Sequence, residues 1–284
     1  MEGFAGLPVV DHHCHLSPAG EGPRAAARFR AAGGTHLFLA TQNYEPEVPV
    51  DLDGYRRQFE TTERLAREVR SSTGVVAYVV IAPYPIDLVR AAQRLGVAGA
   101  LELQVRALDL AGRWVREHRA VALGEVGWPH FPVDPEVGDA ARSAFHHALE
   151  VARDVDCPVV VHSPDLDDAA WQALEEEARS VRLPPRRVVK HYARARRPAT
   201  AGGAVPSYLA RRDLVNDVAS DPAPWFLETD YLDDPRRPGA VLDLTTVPRR
   251  AAALAARSSA GALTVPFLDS VKQVYGITPE VVGT

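Results

Sequence analysis

The segment DHHCHL, residues 11–16, places five side chains that can bind a metal ion or a proton in consecutive positions. The apolar run LPVV at residues 7–10 precedes it and indicates a β-strand. Alternate side chains of a strand point to opposite faces, so Asp11, His13 and His15 share one face. The pattern predicts either a His-x-His metal-binding pair with an aspartate beside it or a solvated histidine-rich turn.

Ionisable side chains also end four later apolar runs. Glu125 lies in VALGEVGW, His162 in PVVVHS, His191 in RVVKHY and Asp230 in WFLETD. Each of them alone is compatible with a helix cap, a core histidine with satisfied hydrogen bonds or a loop residue. Together with the His-x-His pair they make four histidines and two carboxylates, which suit zinc or manganese, and a carboxylate can bridge two ions.

The elements that would position these side chains follow from periodicity. Short Val- and Leu-rich runs alternate with longer amphipathic segments rich in Ala, Arg and Glu, which is the pattern of βα units. The predicted strands cover residues 7–13, 35–41, 75–82, 120–126, 157–162, 187–191, roughly 203–207, and 225–229. The predicted helices cover residues 54–71, 86–95 with 99–119, 136–154, 167–181 and 248–258.

Eight strands with intervening helices favour an α/β fold, and specifically a single (β/α)8 TIM barrel domain over residues 1–284. The seventh strand is the weakest, because GGAVPSYLA contains glycines and a proline that could equally form a loop. No Gly-x-Gly-x-x-Gly turn follows the first strand, which argues against a dinucleotide-binding sheet. Residues 42–53 and 232–248 are predicted to be long loops at the barrel face that carries active sites.

Composition narrows the class of protein. The chain of 284 residues has a net charge of -5, which argues against a broad basic surface that coats nucleic acid. No apolar stretch approaches the roughly 20 residues that span a bilayer, and the start lacks signal-peptide features, so we expect a cytoplasmic protein without a membrane partner. Cys14 and Cys157 form neither a disulfide framework nor a Cys-x-x-Cys zinc motif.

The strand-end motifs DHHCHL, ALGEVG, PVVVHS, KHY and ETD resemble, in order, those of the TatD-like metal-dependent hydrolases of the amidohydrolase (urease-like) superfamily. The resemblance covers almost the whole chain. The stretches AAGGTHL, ALGEVGWPHFPV and ETDYLDDPRRPGAV are most similar to an archaeal branch described as predicted metal-dependent hydrolases. The family resemblance implies a TIM barrel with a binuclear metal centre at the carboxyl ends of its strands.

The resemblance also implies which side chains hold two divalent ions, zinc or manganese with magnesium as an alternative. The first ion would be bound by His13, His15 and Asp230, the second by His162 and His191, and Glu125 would bridge both. Asp11 would support these ligands without binding an ion. Asp230 and Glu125 would be the catalytic residues. A glutamate at position 125, where phosphotriesterase-like relatives carry a carbamylated lysine, implies that no carbamate forms.

Two positions depart from the family pattern. Tyr84, in IAPYP, stands where the TatD motif Gly-x-His-Pro has its histidine, and His130, in WPH, lies where the family continues with Gly-Leu-Asp. We expect both to be candidate substrate contacts, with a loop histidine of no function as the alternative for His130. Candidate phosphate-binding residues in the loops after the strands are Arg194, Arg196, Arg197, Arg236 and Arg237, unless they form only a solvated surface.

The predicted activity is hydrolysis by a metal-activated hydroxide, with Asp230 orienting the water and carrying its proton to the leaving group. The substrate would be a phosphodiester, either a small molecule or a nucleic acid, which makes the protein a TatD-like phosphodiesterase or deoxyribonuclease. A metal-dependent amidase, lactonase or deaminase acting on a small molecule is the second hypothesis. A non-catalytic metal-binding barrel is the third.

Overall fold

A computed structural model describes residues 7–197, 202–256 and 261–280. Strands and helices alternate along these residues. The strands are β1 (Val10–His15), β2 (His36–Ala40), β3 (Val76–Ile81), β4 (Ala122–Gly127), β5 (Val159–His162), β6 (Val188–Ala193), β7 (Val205–Leu209), β8 (Phe226–Glu228) and β9 (Tyr231–Leu232). The helices are α1 (Pro23–Ala31), α2 (Leu52–Thr73), α3 (Pro85–Arg116), α4 (Pro135–Asp154), α5 (Asp168–Ser180), α6 (Arg212–Val218), α7 (Thr246–Ala255), α8 (Gly261–Thr264) and α9 (Ser270–Tyr275).

The eight predicted strands are all present, with ends that differ by a few residues from the predicted bounds. The glycine- and proline-containing seventh segment is a strand, β7, whose residues are all buried. The five predicted helical regions correspond to α2, α3, α4, α5 and α7, although residues 257 and 258 of the last one lie outside the described residues. Gly96 interrupts α3 with φ 71° and ψ 164°, at the break predicted between residues 95 and 99.

Several short elements were not predicted. Helix α1 buries only Ala25, Ala26 and Phe29, so its apolar face is too small to give a clear helical period. Helix α6 spans seven residues, and β9 only two. These elements are short enough that tertiary packing, rather than local sequence pattern, decides them.

The first compact unit consists of Met1–Leu39, Arg64–Tyr78 and His191–Thr284. In this unit β1 pairs in parallel with β2 and with β9, and β7 pairs in parallel with β8. Only two residues separate β8 from β9, so the chain runs from the eighth strand directly onto the edge of the first. The large side chains fully buried in the unit include Phe29, Phe38, Tyr208, Trp225, Phe226 and Phe267.

The second compact unit consists of Ala40–Glu63 and Val79–Lys190. Its strands pair in parallel in the order β3, β4, β5, β6. Helix α4 buries residues at helical spacing, among them Val137, Ala141, Ala144 and Ala148, so one stripe of the helix faces the interior. The largest fully buried side chains of the unit are Tyr55, Phe59, Trp114, Phe145 and Lys190. The prediction of a single domain over residues 1–284 stays a prediction.

Among the residues that the structure describes, no helix is both long and apolar enough to cross a membrane. The segments predicted as long loops lie mainly between β2 and α2 and between β9 and α7. Each of these loops directly follows the carboxyl end of a strand, which in α/β folds is where active-site residues concentrate.

Candidate metal centre

In the first unit His13 and His15 of β1 meet the side chain of Asp230. Their Nε2 atoms lie 3.2 Å apart. Oδ1 of Asp230 lies 3.8 Å from Nε2 of His13 and 3.7 Å from Nε2 of His15. Donor atoms of a tetrahedral zinc ion with bonds of about 2.1 Å are roughly 3.4 Å from one another. The observed spacing and the two nitrogens and one carboxylate oxygen therefore fit ligands of one divalent ion.

As the alternation predicted for β1 requires, His12 and Cys14 contact different residues from those that His13 and His15 contact. His12 stacks on the ring of Phe226 at 4.0 Å, and its Nε2 lies 2.7 Å from the hydroxyl oxygen of Tyr275 in α9. Sγ of Cys14 lies 3.6 Å from the carbonyl oxygen of Phe38. Burial lowers the pKa of His12 to about 3, so this histidine is neutral at physiological pH. His12 and Cys14 therefore contribute to the packing of the core.

A β-bulge lies at the predicted ligands of β1. Asp11 pairs with Leu37 and Cys14 with Leu39, so β1 holds one residue more than β2 over this stretch. A bulge bends the strand locally and redirects side chains, and bulges occur often beside active sites. The extra residue of β1 falls between Asp11 and Cys14, which is where His13 lies.

Asp11 is fully buried and holds the backbone beside Asp230. Its carboxylate accepts hydrogen bonds from the Oγ1 of Thr229 at 2.7 Å and from the backbone nitrogens of Thr229 at 3.1 Å and His13 at 3.2 Å. Burial raises the pKa of Asp11 to about 8. Since the backbone nitrogen of Asp230 also donates to the carbonyl oxygen of His13 at 2.9 Å, β1 and the end of β8 are fixed to each other.

His191 of β6 belongs to the same unit. Its ring stacks on that of His13 at 4.3 Å, and ligand atoms of His13, His191 and Asp230 all lie within 4.8 Å of one another. Nδ1 of His191 lies 3.5 Å from Oε1 of Glu228, a fully buried carboxylate that accepts a hydrogen bond from the backbone nitrogen of Tyr192 at 2.7 Å. A carboxylate beside the remote nitrogen of a histidine fixes its ring and leaves Nε2 for an ion.

Glu228 was not predicted from the sequence. It lies two residues before Asp230 in WFLETD, so strand alternation places both side chains on one face, and that spacing is the signal that could have found it.

In the second unit Glu125 of β4 meets His162 of β5. Oε1 of Glu125 lies 3.1 Å from Nδ1 of His162. The pairing register of β4 with β5 shifts between Gly124 and Val126, so Glu125 also occupies an irregular strand position. Gly127, with φ 132°, comes so close to His162 that a Cβ atom there would lie 2.0 Å from the His162 carbonyl oxygen. The glycine is required for this close approach.

Two further predicted site residues contact the other nitrogen of the same histidine. Nε2 of His162 lies 2.8 Å from Nδ1 of His130 and 3.4 Å from the hydroxyl oxygen of Tyr84. His130 is exposed, in the segment between β4 and α4, and Tyr84 immediately precedes α3. The residues that depart from the family pattern therefore both contact a predicted metal ligand.

The candidate phosphate-binding arginines have various partners. Arg236 and Arg237 are both exposed and pair with the same carboxylate, that of Asp234, at 3.0 and 3.1 Å. Arg194 is exposed and lies over the ring of Tyr192 at 5.9 Å. The two remaining arginines contact their own unit: Arg196 pairs with Asp221 at 3.6 Å, and Arg197 donates to the carbonyl oxygen of Ala204 at 2.6 Å.

Comparison with known proteins agrees with this fold. The model of the TatD related DNase family matches residues 10–265. The uncharacterized protein MJ1127 of Methanocaldococcus jannaschii is 30% identical over 254 residues, which are 88% of each chain. The TatD-like protein AF1765 of Archaeoglobus fulgidus has a TM-score of 0.61 and 13% identity, with 94% of this chain and 100% of the other covered.

A third similar structure is that of the phosphotriesterase homology protein from Escherichia coli, described as complexed with phosphate in its active site. Its TM-score is 0.60 at 10% identity, with 95% of this chain and 98% of the other covered. At such identities these structures establish the fold, and they confirm the predicted α/β TIM barrel class.

The fold and the histidine- and carboxylate-rich strand ends define a metal-dependent hydrolase. The chain belongs to the TatD related DNase family. The family membership that the strand-end motifs predicted is thereby confirmed.

Proposed function

We propose that this hydrolase cleaves phosphodiester bonds, with DNA as the substrate class. The observation that carries the proposal is the group formed by His13, His15 and Asp230, whose donor atoms have the spacing of a metal site, in a chain of the TatD related DNase family. The proposed site contains two zinc or manganese ions, with magnesium as the alternative. Its six proposed ligands are His13, His15, Glu125, His162, His191 and Asp230.

Bound divalent ions lower the pKa of a water molecule and polarise the oxygen atom of the bond to be cleaved. Asp230 supplies the proton transfer: its carboxylate is 18% exposed, so a water molecule and a substrate can reach it. We propose that it orients the attacking water, takes its proton and gives it to the leaving group. Glu125 contacts His162, and this contact positions the two proposed ligands relative to each other.

Three observations support a phosphate substrate. The family description names a DNase, and the similar phosphotriesterase homology protein is described with phosphate in its active site. The exposed guanidinium groups of Arg194, Arg236 and Arg237 have the planar geometry that suits phosphate oxygens. Because Arg236 and Arg237 share one carboxylate, this pair keeps a net positive charge for a polyanion.

Turnover by the metal-loaded protein tests the proposal. Bis(4-nitrophenyl) phosphate and a single-stranded oligonucleotide would be compared with a lactone, a carboxylic ester and an amide, each with zinc, with manganese and after chelation. We expect metal-dependent cleavage of the two phosphodiesters. Turnover confined to the lactone, ester or amide would establish the small-molecule alternative. No turnover of any substrate by protein that holds two ions would indicate a binding function.

A further inference from the structure

The imidazole ring of His162 is contacted at both of its nitrogens within the second unit. Nδ1 lies 3.1 Å from Oε1 of Glu125, and Nε2 lies 2.8 Å from Nδ1 of His130. The hydroxyl oxygen of Tyr84 lies 3.4 Å from the same Nε2, farther away than His130. His130 therefore contacts Nε2 of His162, and Glu125 contacts Nδ1 of the same ring.

The partners of the two nitrogens assign them different roles. Nδ1 lies 3.1 Å from the carboxylate of Glu125, a buried residue of the proposed ligand set, whereas Nε2 lies 2.8 Å from His130, which is exposed and outside that set. The ligands of one ion lie side by side, roughly 3.4 Å apart in a tetrahedral site. Nδ1 is therefore the proposed ligand atom of His162, and Nε2 is the atom that bonds to His130.

When Nδ1 of a neutral imidazole binds an ion, its proton is on Nε2, and that N–H needs an acceptor. Nδ1 of His130 is such an acceptor at 2.8 Å. Hydrogen bonds to the remote nitrogen of a metal-binding histidine fix its tautomer and ring orientation and increase its basicity. His191 has a buried carboxylate, Glu228, near its own remote nitrogen, whereas His162 has an exposed imidazole in this position.

We infer that His130 is a positioning residue for the second metal ion: it accepts a hydrogen bond from Nε2 of His162 and holds the His162 ring so that Nδ1 faces the ion. The inference rests on the proposed function, because it assigns His162 to a metal site. His130 touches neither substrate nor ion in this role. The segment WPH, which departs from the family pattern, then supplies this acceptor.

Equilibrium zinc binding to the metal-free protein tests the inference without any turnover assay. The variants are His130→Ala, which removes the acceptor, and His130→Asn, whose amide oxygen takes nearly the place of Nδ1. His146→Ala is the matched control, because His146 is an exposed histidine of α4 that pairs with Glu177 instead. Loss of such a hydrogen bond typically weakens metal binding 10- to 100-fold.

We expect wild type, His130→Asn and His146→Ala to bind two zinc ions with similar affinities. His130→Ala should bind the tighter ion unchanged and the weaker ion about 10- to 100-fold less tightly. Proton–nitrogen NMR spectra of the histidine rings give a second readout in metal-free protein, where the ring signals of His162 should shift in His130→Ala and return towards wild type in His130→Asn.

The outcomes separate the inference from the proposed function. Wild-type protein that binds two ions, together with His130→Ala that binds both with wild-type affinity, overturns the role of His130 and leaves the proposed site intact. Loss of the weaker ion in His130→Asn as well as in His130→Ala would make His130 itself a ligand and overturn the positioning role. Wild-type protein that binds fewer than two ions overturns the proposed site and the inference with it.

Discussion

The two groups of predicted ligands differ in what supports their histidines. In the first unit His13 and His15 are almost completely buried, Asp11 fixes the backbone at His13, and the carboxylate of Asp230 lies near both rings. In the second unit His162 is 13% exposed, and its remote nitrogen contacts the side chains of His130 and Tyr84. The first unit thus brings three proposed ligands of one ion together, a carboxylate among them, whereas the second unit brings together Glu125 and His162. The first group should therefore bind its ion more tightly than the second.

A second difference concerns one buried carboxyl group in each unit. The carboxylate of Asp11 accepts three hydrogen bonds. Asp87, in α3 of the second unit, accepts a hydrogen bond from Nδ2 of Asn43 at 2.5 Å through Oδ1, but its Oδ2 accepts none within the described part of the chain. Burial raises the pKa of Asp87 from 3.8 to about 7. Burial also raises the pKa of Asp11, to about 8, so ionisation costs stability at both residues, and the two differ in their hydrogen bonds.

The largest expected effect comes from Asp230→Asn. The substitution keeps the size of the side chain and removes the base, so turnover should fall on the order of a hundredfold or more while the protein folds and holds its metal. Asp230 has φ 50°, a conformation that asparagine tolerates as well as aspartate does. Turnover and metal content would be measured on the same preparation. Wild-type turnover in a metal-loaded Asp230→Asn protein would rule out the proton-transfer role.

His13→Ala should give the next largest effect. It removes a nitrogen ligand from the first group, so the tighter ion should be lost or bound at least about a hundredfold more weakly, whereas Cys14→Ala should change metal binding little. The reason is the strand register: Cys14 faces Phe38, away from the proposed ions. Zinc content after dialysis checks both variants. Equal loss of zinc in the two proteins would mean that the register of β1 has been assigned wrongly.

Asp87→Asn should stabilise the protein in a pH-dependent way. The folded-state pKa of Asp87 is raised, so the stability it contributes is complete below pH 3.8 and is lost as the pH rises through about 7. An asparagine avoids this loss, so the variant should gain on the order of 4 kcal/mol in the free energy of unfolding at pH 8 and less than about 1 kcal/mol at pH 4. Urea unfolding at both values measures the gain. An equal change at both pH values would exclude ionisation as its cause.

Tyr84→Phe should give the smallest effect. The hydroxyl oxygen of Tyr84 lies 3.4 Å from Nε2 of His162, close to the limit for a hydrogen bond, while His130 lies at 2.8 Å. Removal of the hydroxyl should weaken binding of the second ion less than about threefold. Zinc competition with a chelator of known affinity can detect such a change. A tenfold loss would make Tyr84, rather than His130, the main partner of His162.

The sequence predicted most of the fold because the pattern of apolar strands and amphipathic helices is strong. It missed α1 and β9, which are short and depend on packing against distant segments. It predicted six candidate ligands from the ends of strands but not Glu228, which was overlooked beside Asp230.

Two irregularities in strand pairing could not be predicted from the sequence. A bulge lies between Asp11 and Cys14, and a register shift lies between Gly124 and Val126. Both depend on how many residues the neighbouring strand offers, and no local pattern contains that information. The contact of His130 with His162 is equally non-local, because the two residues are 32 positions apart.

A crystal structure of the protein with one equivalent of zinc, with anomalous data collected at the zinc edge, tests the contrast between the two groups most directly. The group of three ligands in the first unit should fill first, so we expect one strong anomalous peak bound by His13, His15 and Asp230 and a weak peak or none at His162. A dominant peak bound by His162, with His13 and His15 without zinc, would contradict it.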